Sequence, residues 1–186
     1  MTIVIDQFND FFACCVGNWV SERTYHYFTK PIIERSRTEF QIKPLTETAK
    51  IQVLTDNQYE YSQPLAQILG FNLEFYTISE TGEEVSQNLN ILFIITAKKD
   101  TLLQGDYLRD RAYEEAKPIV SSFSFNLETN KLLMRTNYTK IVSVDSITLV
   151  NPKLRIRQII NYQRPQTEQP LDQVMLVGFG VEQKVN

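Results

Sequence analysis

The sequence predicts an all-β protein, an antiparallel barrel or sandwich of about ten strands behind one short N-terminal helix. The 186 residues include eleven Phe, nine Tyr and one Trp, and aromatic side chains pack well on pleated sheets. Short strand-like runs follow one another along most of the chain, with turn residues between them. No internal repeat, low-complexity tract or linker divides the sequence. We therefore expect a single domain over residues 1–186.

The first predicted element is a short helix with Asp6 as its N-cap, because an aspartate side chain accepts from the free N–H groups of a first turn. Apolar side chains then recur at helical spacing at Phe8, Phe11, Phe12, Cys15 and Val16. Gly17 can end the helix, since glycine tolerates the left-handed conformation common just past a helix. Residues 18–28, rich in aromatic and β-branched side chains, form the first predicted strand.

Further strand-like runs cover the rest of the chain, and each is bounded by turn residues such as Thr81-Gly82 and Asn151-Pro152. We predict strands at 34–43, 48–54, 72–78, 88–97, 102–108, 119–126, 131–140, 144–150, 153–162 and 173–184. The stretch 164–170 is predicted as a turn. A second short helix is possible at 62–69, with Ser62 as its cap and Gly70 as its stop.

Composition excludes several classes of function. The formal net charge is −3 and no basic patch dominates, so nucleic acid is not an expected partner. The longest apolar run, residues 91–95, is far shorter than the roughly 20 residues needed to cross a bilayer, and the N-terminus lacks a signal-peptide pattern. Cys14 and Cys15 are neighbours that cannot build a disulfide framework. With one histidine and no CxxC pair, no metal site is expected.

Strand periodicity sorts the charged candidates into faces. In the first strand Arg23 shares a face with Trp19, whereas His26 lies on the opposite face. Arg155 and Arg157 share a face of a late strand and could hold planar carboxylates, although a solvated outer face is the favoured alternative from the residues alone.

Glu182, in the last strand, shares its face with Gly178 and Gly180. If that face is inward, Glu182 is a buried acid beside small residues that leave room for a ligand. If the face is outward, Glu182 is an ordinary surface acid.

Gly17-Asn18-Trp19 resembles the Gly-x-Trp opening of lipocalin-type barrels. The resemblance implies that Trp19 plugs the closed end of a barrel, with a late-strand arginine packed over it. The alternative is a core tryptophan in another β fold. A barrel of eight to ten strands is wide enough to hold one small ligand among its inward side chains.

An ordered set of short motifs spans almost the whole chain. It comprises Phe11-Phe12, Gly17-x-Trp19, Ser21-x-Arg23-Thr24-x-His26, Leu108-Arg109-Asp110-x-x-Tyr113-x-Glu115, Thr136-x-Tyr138, Asn151-Pro152-x-Leu154-Arg155-x-Arg157 and Phe179-x-x-Glu182. Together they resemble the S/U-type phycobiliprotein chromophore lyases, a lipocalin-like family of cyanobacteria and algal plastids. The fold implied is a lipocalin-like antiparallel β-barrel.

The resemblance implies an enzyme that binds a linear tetrapyrrole (bilin) without a covalent bond and delivers it to a cysteine of a phycobiliprotein subunit. Phycocyanobilin or phycoerythrobilin is then a substrate, and no cofactor is implied. The client's thiolate adds to the ethylidene of ring A and forms a thioether. Such an enzyme works in the cyanobacterial cytosol or the plastid stroma, with the client subunit as its partner.

Site residues follow from the same resemblance. Arg155 and Arg157 match the family's late-strand arginines, which bind the propionates and contact the chromophore. Arg23 and His26 match its first-strand motif and are expected in bilin binding or activity. Glu182 is the candidate acid beside the pyrrole nitrogens, where a carboxylate favours the protonated, more electrophilic chromophore.

The chain departs from the family in one region. Active S-type members carry tryptophans in the middle strands, whereas residues 72–97 here contain none. Two interpretations of this departure are open: a U-type subunit that works only with an S-type partner, as a heterodimer, or a lyase for an uncommon client or bilin. A homodimer is also open. Two other hypotheses remain: a lipocalin-like tetrapyrrole carrier without transfer activity, and a non-catalytic scaffold.

Overall fold

Ten antiparallel strands hydrogen-bond in one closed ring in the computed structural model, which describes residues 2–111, 117–166 and 170–185. Each strand pairs with its neighbour in sequence, and the first strand closes the ring against the tenth. The strands are β1 Gly17–Tyr27, β2 Ile32–Pro44, β3 Leu69–Ser79, β4 Glu84–Lys99, β5 Leu102–Arg109, β6 Ile119–Asn126, β7 Lys131–Asn137, β8 Ile141–Asn151, β9 Leu154–Gln163 and β10 Val174–Val185. The helices are α1 Thr2–Cys15 and α2 Glu47–Asp56, with a 3₁₀ turn at Leu65–Gln67.

The barrel prediction is confirmed, and closure has a physical reason. A closed ring leaves no strand edge with unpaired N–H and C=O groups, which an open sheet of this size would expose. Each predicted strand overlaps an observed one, with the exception of 48–54.

The predicted strand at 48–54 is wrong, because these residues form α2. The Thr46 hydroxyl caps the helix by accepting from the Ala49 backbone N–H. Val53 and Leu54 are buried against the outer faces of β4 and β5. Burial and a good cap therefore override the β-branched composition that suggested a strand.

Two smaller predictions about helix ends are also wrong. The helix begins at Thr2, so Asp6 lies inside α1 and does not cap it. The segment 62–69 forms only a 3₁₀ turn at Leu65–Gln67, and Gly70 belongs to β3. Gly17 does end the first helix as predicted: its φ is +128°, which an L side chain rarely adopts.

Helix α1 covers one end of the barrel, called here the closed end. Phe8 is fully buried, and its ring stacks on Phe123 at 5.5 Å between centroids. Phe12 stacks on Phe71 at 4.9 Å. These rings fill the barrel between α1 and the strands, so the interior is packed at this end.

The opposite end of the barrel, the open end, is formed by the end of β1, the beginning of β2 and the corresponding ends of the other strands. The predicted turn at 164–170 connects β9 to β10 there, and residues 167–169 of it lie outside the described part. No helix within the described residues is both long enough and apolar enough to cross a lipid bilayer.

Candidate functional site

A cavity of about 420 Å³ runs from the middle of the barrel to the open end. This volume lies within the range of about 300–1,000 Å³ typical of small-molecule sites. One wall, formed by β2, β3 and β4, is mainly apolar, with Phe40, Leu73, Phe75, Val85 and Leu89. The opposite wall carries most of the charged side chains, which are Arg23, Arg109, Asp145, Arg155, Arg157 and Glu182.

The floor of the cavity is built around Trp19, which is fully buried. Its indole N–H donates to the Cys15 backbone carbonyl at 2.8 Å and so ties β1 to the end of α1. The Arg155 guanidinium lies over the ring, with 4.6 Å from its central carbon to the ring centroid. The predicted plug with a late-strand arginine packed over it is therefore confirmed, and the contact is a cation–π interaction.

Glu182 is the acid of this floor, and its face is inward. Glu182 is fully buried and accepts a 2.5 Å hydrogen bond from Arg155 Nε at Oε2. Arg23 Nη2 lies 3.8 Å from Oε1, for which the described residues provide no hydrogen-bond partner. The structure thus brings together three of the predicted site residues in one cluster. Their charges sum to +1, since two guanidinium groups share one carboxylate.

The outer-face alternative that the residues alone favoured for Arg155 and Arg157 is wrong. Arg155 is 4% exposed, and Arg157 lines the cavity closer to the open end. Arg157 donates to Asp145 Oδ1 from Nη2 at 2.6 Å and from Nε at 3.1 Å. These two hydrogen bonds from one guanidinium to one carboxylate oxygen hold both side chains in one geometry.

Sequence reasoning missed Asp145. Its side chain is 15% exposed, whereas that of Glu182 is 1% exposed, so Asp145 is the more accessible acid of the two. Ser143 donates to its Oδ2 at 3.1 Å. The available signal was the alternation in β8, which puts Ser143 and Asp145 on the same face as Ile147.

Arg109 is a second functional candidate to which sequence analysis gave no role. It lines the cavity and is 7% exposed. Its Nη2 donates to the Tyr138 hydroxyl at 3.0 Å and contacts the Thr136 hydroxyl at 3.4 Å. The motif pieces Leu108-Arg109 and Thr136-x-Tyr138 therefore meet in space. Tyr113 and Glu115, from the same predicted motif, lie outside the described residues.

His26 is not part of this cavity. Strand β1 pairs without a bulge, so His26 faces outward beside Ile33 and Val177, and it is exposed. Arg23, on the opposite face, does line the cavity. The structure therefore separates the two residues that the first-strand motif had grouped.

Gly178 of β10 has a different effect from the one expected. A Cβ at Gly178 would lie 2.4 Å from an Ile159 methyl carbon and 2.6 Å from the Tyr25 ring. The space that the missing side chain leaves is filled by these neighbours. Gly178 therefore lets the Tyr25 ring pack against the sheet, and the room for a ligand lies elsewhere in the barrel.

Cys15 is not placed to react at the cavity mouth. Cys15 is buried on the floor beside Arg155. Burial raises the pKa of the Cys15 thiol above its ordinary value, and the positive charge of Arg155 offsets only part of that rise. Since the thiolate is the nucleophilic form, Cys15 is suited to packing.

Comparison with known proteins gives a consistent result over nearly the whole chain. A family model described as "CpeS-like protein" matches residues 7–185. The chain is 53% identical over 181 residues to "Chromophore lyase CpcS/CpeS 1" of Synechococcus sp. (strain JA-3-3Ab), covering 97% of this chain and 98% of the relative. It is 26% identical over 151 residues to "Chromophore lyase CpcS/CpeS" of Thermosynechococcus vestitus, covering 81% of each chain.

A solved structure has the same fold. It is the S-type phycobiliprotein lyase CPES from Guillardia theta, with a TM-score of 0.74 and 16% sequence identity. The match covers 96% of this chain and 93% of that one. At this identity the likeness concerns the barrel alone.

Proposed function

This chain belongs to the CpeS-like family, and we propose that it is a chromophore lyase, which joins a bilin to a cysteine of a phycobiliprotein subunit. The family predicted from the ordered motifs is thus confirmed. The mid-strand tryptophans are absent, yet the relative at 53% identity is named as a lyase of the CpcS/CpeS type. We therefore favour an S-type lyase over a U-type subunit.

The observation that carries the proposal is the two-sided cavity. A bilin is a long conjugated ligand with apolar faces, polar pyrrole nitrogens along one edge and two propionates. The apolar wall of β2–β4, with Phe75 and Leu89, suits the faces of the chromophore. The opposite wall offers guanidinium and carboxylate groups for the polar edge.

We propose Asp145 as the first candidate for the acid beside the pyrrole nitrogens. Its carboxylate oxygens each accept from one neighbouring residue, Arg157 or Ser143, and a carboxylate has further lone pairs for a pyrrole N–H. Arg157 positions this carboxylate. Glu182 lies deeper, and its Oε1 remains available at the floor.

In the transfer step the client's cysteine thiolate adds to the ethylidene carbon of ring A. A carbon–sulfur bond forms, the electron pair of the ethylidene double bond moves into the ring system, and the ring system takes up a proton. A negative carboxylate at the pyrroles favours the protonated bilin, which is the better electrophile. By holding one bilin conformer, the barrel restricts which thiol meets which carbon.

The client's cysteine is expected to approach at the open end. Helix α1 and Trp19 block the closed end, and the cavity reaches the surface beside Tyr27 and Glu34. The lyase's own Cys15 lies on the floor and is not the acceptor in this mechanism.

Co-expression with a bilin-producing pathway and a phycobiliprotein subunit tests the proposal. We expect a client that keeps its colour after acid denaturation, and no such product when the client's acceptor cysteine is replaced by serine. Parallel cultures with and without an added S-type lyase test whether this chain works alone. Absence of a coloured client in both cultures contradicts the proposal; a coloured lyase whose bilin never reaches a client indicates a carrier.

A further inference from the structure

Arg109 is a buried arginine on the cavity wall that forms no salt bridge with the residues that the structure describes. Asp145, the acid that attracts it at longer range, is already paired with Arg157. The Arg109 Nη2 faces two neutral hydroxyl groups, those of Tyr138 and Thr136, and its Nε has no hydrogen-bond partner among the described residues. Buried charges in folded proteins are paired or bind an ion, because removing a charge from water is costly. The surroundings of Arg109 therefore accommodate an anion.

The guanidinium of Arg109 is held in place before any anion binds. Its central carbon lies 5.2 Å from the Tyr107 ring centroid and 5.7 Å from that of Tyr138. Two aromatic contacts and the hydrogen bond to Tyr138 restrict the side chain, so little conformational entropy remains to be lost on binding. The free Nε–H belongs to the planar fork that arginine presents to a carboxylate.

The other arginines of the cavity are engaged differently. Arg157 is paired with Asp145, and Arg155 with Glu182. Arg23 shares Glu182 with Arg155, and its Nε also lacks a hydrogen-bond partner. The cavity lining thus has two places with excess positive charge. One is the floor cluster, which consists of Arg23, Arg155 and Glu182, and the other is Arg109. The shorter path between them around the ring crosses β2, β3 and β4.

The remaining acidic side chains of the lining lie at the rim. Glu34 accepts from the Tyr27 hydroxyl, and Glu83 is exposed in the turn before β4. A ligand with two negative groups is repelled from this side of the mouth and attracted to the two positive places.

We propose that Arg109 binds one carboxylate of a ligand that carries two, with the second directed towards Arg23 at the floor. The inference rests on the proposed function, under which the two carboxylates are the propionates of the bilin. It assigns one propionate to a residue outside the late-strand arginines and fixes the orientation of the chromophore across the barrel.

Titration with phycocyanobilin and with its dimethyl ester tests this proposal. The ester keeps the chromophore and removes both negative charges, and binding is followed by absorbance. Because hydrogen bonds to charged groups contribute about 1.5–3 kcal/mol, we expect Arg109→Gln to weaken binding of the diacid roughly 10- to 100-fold and to leave the ester unchanged. Arg109→Lys keeps the positive charge but not the planar fork, so its affinity for the diacid should lie between those of the unsubstituted protein and Arg109→Gln. The exposed Arg35→Gln is the matched control, with both affinities unchanged.

Each result separates the inference from the proposed function. Equal losses for diacid and ester overturn the inference, since Arg109 then only shapes the cavity. An unchanged diacid affinity in Arg109→Gln overturns it as well and leaves the lyase proposal intact. Failure of the unsubstituted protein to bind either form contradicts the lyase proposal itself, and the inference with it.

Thermal unfolding of the ligand-free protein provides a second test. We expect Arg109→Gln to melt within about 4 °C of the unsubstituted protein, because the lost contacts are to neutral hydroxyls and aromatic rings and the substitution also removes a buried charge that has no salt bridge. A larger drop assigns Arg109 to holding β5 against β7 and overturns the inference.

Discussion

The two ends of the barrel differ in how many of their buried polar atoms have hydrogen-bond partners. At the closed end the rings of α1 and the strands pack against one another, and the Trp19 indole N–H has a backbone acceptor. From above Trp19 towards the open end there are buried polar atoms that find no hydrogen-bond partner within the described part of the chain. They are Ser21 Oγ, Arg23 Nε, Ser36 Oγ, Arg109 Nε, Ser121 Oγ, Asn161 Oδ1 and Glu182 Oε1.

Most buried polar groups in proteins have hydrogen-bond partners, so a concentration of atoms without them in one region calls for an explanation. The closed end contributes apolar burial, which stabilises the fold. The cavity region keeps polar atoms free, which costs stability and suits a ligand. We therefore expect substitutions at the closed end to change mainly stability, and those near the mouth to change mainly binding and transfer.

The largest effect on stability is expected for Phe8→Ala. Phe8 is fully buried and contacts Phe12, Phe123 and Phe125. The lost burial and the cavity left behind predict a fall of about 3–5 kcal/mol in the free energy of unfolding, measured by urea denaturation. Phe28→Ala, at a position 64% exposed, is the control and should change it by less than about 0.5 kcal/mol. A small effect of Phe8→Ala contradicts the stabilising role of the closed end.

Glu182→Gln tests the boundary between the two regions. The substitution leaves Arg155 buried without its carboxylate, which predicts a loss of about 3 kcal/mol. Adding Arg155→Gln removes the more deeply buried of the two uncompensated charges and leaves that of Arg23, so the double variant should recover part of that loss in a double-mutant cycle. If Glu182→Gln is as stable as the parent, the floor cluster is not held together by its charges.

Asp145→Asn should separate binding chemistry from stability. Its pair with Arg157 is partly exposed, so we expect a loss of about 1 kcal/mol or less in unfolding free energy. Loss of the carboxylate at the pyrroles should slow thioether formation by about 100-fold or more, measured in single turnovers with bilin-loaded lyase in excess. Asp56→Asn, an exposed change on α2, is the control. An unchanged transfer rate returns the acid role to Glu182.

These contrasts show which parts of the site the sequence could predict. Alternation along a strand separates Arg23 from His26 without a structure, because the side-chain period is two. Alternation does not say which face is inward, so the residues alone favour the solvent side for Arg155 and Arg157, and only the family resemblance places them at the ligand. The pair between Arg157 and Asp145 depends on the register of β8 against β9, which local sequence does not specify.

The sequence contains an indirect signal for helix α2, which lies outside the helix itself. The run 91–95 is apolar at successive positions, so both faces of β4 must be buried and something must cover the outer one. Leu92 and Ile94 are in fact buried beneath α2 with Leu108. The segment 48–54 alone has a weak helical pattern, so the covering element had to be inferred from the strand that it covers.

Cys15→Ala tests the closed end by its dependence on pH. Burial raises the pKa of the Cys15 thiol above its ordinary value of 9.0, so its contribution to stability is complete below pH 9 and is lost as the pH rises through the folded-state pKa. The unfolding free energy of the parent should therefore fall relative to that of Cys15→Ala above pH 9, by up to about 1.4 kcal/mol per pH unit. If the difference in unfolding free energy between the parent and Cys15→Ala stays constant from pH 7 to 10, the thiol is not buried as the structure shows.

The smallest effect is expected for His26→Ala, which tests whether the comparison extends to the outer surface. His26 is exposed on the outer face of β1, and its Cα partners in the register are Ile33 and Val177. We expect unfolding free energy within about 0.5 kcal/mol of the parent, with unchanged bilin affinity and transfer rate.

A side chain on the outer face of a continuous sheet does not reach a ligand inside the barrel. If His26→Ala slows transfer while bilin affinity stays the same, the effect must therefore act through the client. Phe28, Ile32 and Ile33 are exposed close to His26, where β1 turns into β2 at the open end. Such a result would place part of the client's docking surface on this edge of the mouth, and catalytic function would then extend beyond the cavity wall that Arg109 and Asp145 define.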